Sequence, residues 1–397
     1  MFAILDGIRV LDLTSVVLGP YATQMLGDFG AEVIKIESIE GDMFRAVRPG
    51  RSDQMGAGFV NCNRNKQSLA LNLKSDQGKD IFYRLAATAD VVVHNMRTKT
   101  AIKLGIGYKD VKSRNSNIVY CNAQGFGEEG PLADVPAYDD IIQAASGLAY
   151  VNADKEGRPR YLPTIVADKV AGLQLTIAVL GGLLHKQSTG KGCAIEAPMF
   201  EGIVSFLMTE QMAGQSFVPS MGGTGYDRLN APYRNPYPTA DGYIALLPYS
   251  TKNWIDFFHL VERPELAELE IVTDAVKRSE NINTLYQMIH EMTPEKTTDE
   301  WCELLRNADI PHTKVNYLDE LLEDEHLNAV GLFEEYDHPS EGRMRAVRSP
   351  FVIQGIQHTA DQPAQLLGQA NDKILSELGI DHQEMKQLKE AGVIELI

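Results

Sequence analysis

Ile8 to Glu37 reads IRVLDLTSVVLGPYATQMLGDFGAEVIKIE. Ile8–Leu13 is rich in aliphatic residues and predicts a strand. Gly19-Pro20 opens a helix that runs through Ala22, Met25, Leu26 and Phe29. Proline suits the first helical turn, where its missing N–H has no intrahelical acceptor to lose. Gly30 closes the helix, and Glu32–Glu37 predicts a second strand. Strand, helix and strand in so short a stretch imply two parallel neighbours, because parallel strands need a crossover between them.

The pattern recurs. Lys79–Ala87 reads as a helix, and Asp90–His94 and Ile118–Cys121 read as strands. Such alternation predicts an α/β protein with a large Rossmann-like, doubly wound domain. Tyr138–Tyr150 and Asp168–Lys186 predict helices, Ala194–Ala197 a short strand, and Met199–Met212 another helix. From Gln215 to Pro238 the composition turns to Gly, Asn and Pro, as in a linker or mobile loop. Asp241–Leu246 starts a smaller α/β unit whose helices carry Trp254, Phe257, Leu285, Ile289, Trp301 and Leu304. The expected domains are a large one over 1–200, completed by about 325–397, and a small one over 240–324. Between them lies a linker over 201–239 with a glycine-rich loop.

The chain has 397 residues and a formal net charge of −17. That field opposes nucleic acid and anionic membrane, so neither is expected as a partner. Of the four cysteines none forms a C-x-x-C pair, and the N-terminus shows no signal-peptide pattern. Both features predict a cytoplasmic protein with reduced thiols. The apolar run Val170–Leu184 is short for a membrane span and predicts a buried core helix.

Several familiar chemistries lack their motifs. The turn after the first strand, Ser15-Val16-Val17-Leu18-Gly19-Pro20, has no G-x-G-x-x-G, so the backbone approach that a dinucleotide pyrophosphate needs is missing. Glu37 nevertheless stands where a ribose-binding acid would. No metal is expected, because the nine histidines make no H-E-x-x-H or similar pattern. No G-x-S-x-G elbow appears. Asn61–Ser68 reads as a solvated turn into a surface strand, or else as a cationic patch for phosphate. His94–Arg97, at a strand end, fits either a ligand crevice or a cap. Asp168 precedes the apolar run. It fits a helix N-cap, the commoner local use, and also a partly desolvated nucleophile beside positive peptide dipoles.

Taken as a set, certain segments resemble the family III CoA-transferases of the CaiB/BaiF type. They are Val10–Thr14 with Gly19-Pro20, Gly30–Glu37 with Gly41-Asp42 and Arg45, and Asn63–Leu69. Further on come Asp90–Asn95, Gly125-Phe126-Gly127 with Gly130-Pro131, Tyr138-Asp139 with Gln143 and Ser146-Gly147, and Pro363 with Leu367-Gly368. The similarity runs in order along nearly the whole chain.

The resemblance implies exchange of CoA between an acyl-CoA and a free carboxylic acid, with no permanently bound cofactor. It implies that Asp168 is the nucleophile, forming an aspartyl anhydride and an aspartyl-CoA thioester. It implies CoA contacts at Val17, Leu18, Ser38, Leu71, Asn72, Leu73, Lys74, Asn95, Met96, Arg97, Lys103, Ala137, Tyr138 and Asp139. Gly222, Gly223 and Gly225 match the family's glycine-rich lid, with Thr224 interrupting it. An interlocked homodimer is also implied. Val17 stands where formyl-CoA transferases carry Gln, which counts against formate and oxalate. Related racemases of 2-methylacyl-CoA resemble G-H-D-x-N-Y; here Ala137-Tyr138-Asp139 lacks the His. A non-catalytic CoA-binding protein is the other alternative. Arg45, Arg48, Arg51 and Arg64 are candidates to hold the second carboxylate of a C4–C5 dicarboxylate, with surface arginines the simpler reading.

Overall fold

The computed structural model describes residues 1–396. Six parallel strands form the main sheet: β1 (Arg9–Leu13), β2 (Glu32–Glu37), β3 (Lys66–Ala70), β4 (Val91–His94), β5 (Val119–Asn122) and β6 (Cys193–Glu196). Their order is β3-β2-β1-β4-β5-β6, that of doubly wound dinucleotide-binding sheets. The chain reverses its direction of winding between β1 and β4, and there the carboxyl ends of the strands open a crevice.

The aliphatic runs explain the layers. Successive strand residues point to opposite faces. Leu11, Ile34 and Val92 pack into one apolar cluster with Phe82 and Leu85, while Val10, Val33, Val91 and Val93 pack into another with Leu26, Leu175 and Val179. Helices therefore cover both faces, as the buried strands require.

By compactness, one unit comprises Met1–Leu207 and Gly331–Ile397, and a second comprises Met208–Val330. The chain thus rejoins the first unit at Gly331. Its last segment covers the sheet edge: Asn371 Oδ1 accepts the Ala70 N–H at 2.8 Å and Asn371 Nδ2 donates to Ala70 O at 3.0 Å. An open edge is a template for wrong pairing, and this cover removes it. It also buries β3, expected from its polar lead-in to be a surface strand.

Other expectations shift. The stretch 201–239, expected as a linker, begins inside the helix Met199–Gln211. The helix expected over 138–150 is two helices, α2 (Asp139–Ala145) and Leu148–Val151, broken where Gly147 takes φ +87°. The helix α3 (Val166–Thr189) starts before Asp168. By length and composition alone α3 could cross a membrane (24 residues, mean hydropathy 1.4). In this unit its Ala167, Ala171, Leu175 and Val179 are buried in the second apolar cluster.

The second unit carries an antiparallel sheet of β7 (Tyr237–Pro238), β8 (Tyr243–Leu246) and β9 (His312–Lys314). Its core gathers Trp254, Phe257, Phe258, Leu285, Tyr286, Ile289, Trp301 and Leu305. Gly222, Gly223 and Gly225 lie in this unit. Gly225 has φ +107°, open to glycine, and its N–H donates to Gln211 O at 2.8 Å.

Candidate active site

The turn from β1 into α1 (Leu18–Asp28) is tied down from several sides. Asn95 clamps Ser15 with both ends of its amide, accepting the Ser15 N–H at 3.1 Å and donating to Ser15 O at 2.9 Å. Val16 has φ +69°, a conformation that a β-branched residue adopts only when its surroundings enforce it. Its N–H donates to Asp42 Oδ1 at 3.1 Å. Lys35 Nζ, fully buried, bridges Asp42 Oδ2 at 3.0 Å and Thr14 O at 2.9 Å. A Cβ on Gly19 would sit 2.2 Å from Thr14 Cβ, so only glycine lets α1 start this close.

Beside this turn, at the carboxyl ends of β1 to β3, lies a cavity of about 430 Å³. Ser38, Leu71, Asn72, Leu73, Lys74 and Met96 line it. Lys74 is the one of these with a positive charge.

The remaining expected CoA positions lie elsewhere on the unit. Val17 and Leu18 are buried, each 2% exposed. The Asn95 amide is spent on Ser15, and Arg97 Nη1 donates to Asp134 O at 3.0 Å. Lys103 is exposed and forms no ion pair among the described residues. Tyr138 is exposed. Ala137 meets the 125–130 loop, where a Cβ on Gly125 would come 2.5 Å from the Ala137 Cβ.

Asp168 is the third residue of α3. The cap position is Ile165, and Asp168 makes no capping bond, which removes the N-cap reading. Its residue is 8% exposed. No hydrogen bond from a described residue reaches its carboxylate. Burial first, and the neighbouring Asp139 second, push its pKa up to about 7. Asp139 Oδ1 accepts the Asp168 N–H at 3.0 Å, and Asp139 Oδ2 accepts from Gln143 Nε2 at 2.6 Å. Gln143 Oε1 in turn takes the Leu162 N–H at 2.9 Å. The first turn of α2 thus holds the segment that enters α3. A Cβ on Gly172 would lie 2.8 Å from Leu18 O, so this glycine brings α3 against the start of α1.

A carboxylate that is buried, unbonded and half-protonated near neutrality is desolvated enough to react, and it remains ionised in a large share of molecules.

Over residues 5–371 the chain matches the model of CoA-transferase family III. The chain belongs to that family. It is 30% identical to succinyl-CoA:glutarate CoA-transferase of Homo sapiens, covering 98% of this chain and 90% of that one. It is 29% identical to succinyl-CoA:mesaconate CoA-transferase of Haloarcula marismortui, covering 95% of this chain and 97% of that one. Among solved structures, a mutant of Rv3272 from Mycobacterium tuberculosis superposes with a TM-score of 0.81 at 29% identity, covering 94% of this chain and 98% of that one. A CaiB/BaiF family protein from Brucella suis gives 0.79 at 27%, covering 95% and 100%. The protein is an enzyme, a CoA-transferase acting on CoA thioesters.

Family membership does not preserve every local reading. The segment 61–68 is neither a solvated turn nor a phosphate patch. Lys66 Nζ is buried against Asp12 Oδ2 at 3.0 Å, Pro20 O at 2.8 Å and Asn63 Oδ1 at 2.9 Å. Arg64 Nε donates to Asp28 Oδ1 at 2.9 Å. Glu37 is no ribose ligand, because Arg45 takes both its oxygens at 2.7 Å. Arg45 and Arg64 are therefore committed, and the exposed Arg48 pairs with Asp53. His94 is buried, and burial pushes it down to about 4, so it stays neutral while Nε2 meets Tyr120 Oη at 2.7 Å. Lys35, Asp42 and Gln143 carry no expected role, yet they hold the turn before α1 and the entry to α3. A lysine in the middle of a buried aliphatic strand was the available signal for the first.

Proposed function

We propose that the enzyme transfers CoA through covalent chemistry at Asp168. A carboxylate oxygen of Asp168 attacks the thioester carbonyl of the acyl-CoA and expels CoA thiolate, leaving a mixed anhydride. The thiolate attacks the aspartyl carbonyl, releases the first acid as its carboxylate and forms an aspartyl-CoA thioester. The incoming carboxylate attacks that thioester and expels thiolate again. Thiolate then attacks the new acyl carbonyl, giving the product acyl-CoA and free Asp168. In each step one bond to an acyl carbon forms as another breaks, and splitting one difficult exchange into easier covalent steps is the advantage of this route.

The observation that carries this reading is the Asp168 carboxylate, buried and without a hydrogen-bond donor. The cavity lined by Leu71 to Lys74 supports a CoA site there, with Lys74 and Lys103 as charges for the CoA phosphates. A C4–C5 dicarboxylate is the proposed acid, supported by relatives named for glutarate and mesaconate. Racemisation is not favoured, since Tyr138 stands where that chemistry has its His. The interlocked homodimer is proposed too: Leu173, Ile177 and Leu184 leave an apolar stripe exposed on α3, suited to a second copy. A cytoplasmic location is proposed as well, a compartment in which the four free cysteines would stay reduced.

The test is intact-protein mass spectrometry after mixing with succinyl-CoA and quenching with hydroxylamine. A hydroxamate on Asp168 is the expected product. Full turnover by Asp168→Ala would remove the assignment.

A further inference from the structure

The second unit holds a cavity of about 450 Å³ against its small sheet. Pro236, Leu247 and Pro311 give it apolar walls, and Arg228 and Arg234 give it two guanidinium groups. In a chain of net charge −17, arginines readily find carboxylates. The cation pairs of this unit are Lys252–Asp256, Arg263–Glu265 and Lys277–Glu270, and neither cavity arginine joins one.

Arg228 is oriented instead by neutral groups. Its Nε donates to Tyr286 Oη at 2.9 Å, and its guanidinium carbon lies 5.4 Å from the Tyr249 ring centroid. Phenols fix the direction of an arginine without neutralising it. Arg234 has no side-chain hydrogen bond or ion pair among the described residues. Tyr237 also lines the cavity; it is 3% exposed, and its hydroxyl has no partner among the described residues. Two unneutralised cations and an unpartnered phenol hydroxyl around apolar walls are the parts of a binding site for a small amphiphilic anion.

We propose that this cavity binds a short aliphatic carboxylate, with Arg228 and Arg234 on the anion and Pro236, Leu247 and Pro311 against the carbon chain. A bare phosphate would satisfy the cations but leave those walls uncovered. The inference rests on the proposed transfer reaction only for the ligand's class, a free acid, and it names the arginines that Arg45 and Arg64 cannot replace.

The experiment is calorimetric titration of the full chain carrying Asp168→Ala with succinate and, separately, with inorganic phosphate. Binding is read without turnover, so loss of the nucleophile assignment leaves this result interpretable. Saturable succinate binding is expected, weakened about tenfold or more by adding Arg234→Ala, with a partial return in Arg234→Lys. Arg234 is exposed, and an unchanged melting temperature checks that its variants remain folded. Absence of saturable succinate binding, equal affinity in Arg234→Ala, or Arg234-dependent binding of phosphate alone overturns the proposal.

Discussion

The Asp139 carboxylate accepts the backbone N–H of Asp168 at 3.0 Å. One acid thus positions the main chain of another while its charge opposes that acid's ionisation. The two effects separate in Asp139→Asn. The amide oxygen can still accept the Asp168 N–H, but the charge is gone. The Asp168 pKa should then fall, and the acid limb of the kcat/KM profile should move to lower pH. The new NH2 would face Gln143 Nε2, so a loss of about 1–3 kcal/mol in urea unfolding is expected. An acid limb that stays in place would show that Asp139 exerts no charge effect on Asp168.

Asp168 itself links stability to pH. Its folded pKa, about 7, lies above the ordinary carboxyl value. The native state therefore holds the proton more tightly than the unfolded chain, and stability falls as pH rises from about 4 to about 7. The loss is at most about 4 kcal/mol, from roughly three pKa units at about 1.4 kcal/mol each. Asp168→Asn removes the cost of ionisation. Its melting temperature should exceed that of the wild type at pH 8, and the gap should shrink at pH 5. If Asp168 is the nucleophile as proposed, activity of the wild type should rise through about pH 7 as its carboxyl ionises. A gap that stays constant with pH would contradict the raised pKa.

Val16 and Asp42 form a second separable pair. A β-branched residue at φ +69° costs about 1–3 kcal/mol, against about 0.5–1 kcal/mol for the freedom glycine loses on folding. Val16→Gly should therefore be neutral or stabilising by about 1 kcal/mol. Asp42→Ala removes the direct ion-pair partner of the buried Lys35 and leaves it the Thr14 carbonyl with the fields of Asp12 and Glu37, which should cost about 3–5 kcal/mol. Thr14, Ser15 and Asp42 line the cavity beside Lys74, so a milder change, Asp42→Asn, should raise KM for acyl-CoA more than it lowers kcat. Denaturant unfolding and steady-state kinetics measure both.

The strands β1, β2, β4 and β5 are legible to within two residues, because a parallel strand buried on both faces reads as an aliphatic run. The mixed α/β class follows from their spacing. Partners distant in sequence are not legible. Nothing near Arg64 announces Asp28, and nothing near Ala70 announces Asn371. Polar runs such as Asn63–Lys66 read as surface because composition records polarity and not the partner that permits burial. The start of α3 is misplaced for a related reason. Asp is a favoured cap, but here Gln143 and Asp139 supply the bonds around the helix entry, so Asp168 does not have to cap. The convergence of Ser38 with Leu71 to Lys74 depends on the β2–β3 pairing, which no local pattern states.

Lys66 and Asp12 offer the last prediction. Both are buried, at 4% and 0% exposure, with 3.0 Å between Nζ and Oδ2. Burial alone would raise the Asp12 pKa, but Lys66 and Lys35 outweigh it and hold the carboxyl at about 2. A depressed carboxyl pKa contributes stability that is present above about pH 4 and lost as pH falls toward 2. Lys66→Met removes the nearer cation and leaves Lys35 as the main support for the anion. Stability at pH 7 should drop by about 3–5 kcal/mol, as for other buried pairs broken on one side. Adding Asp12→Asn should recover part of that loss by removing the stranded charge. A double variant no more stable than Lys66→Met would mean that Lys66 acts through packing and not through its pairing with Asp12.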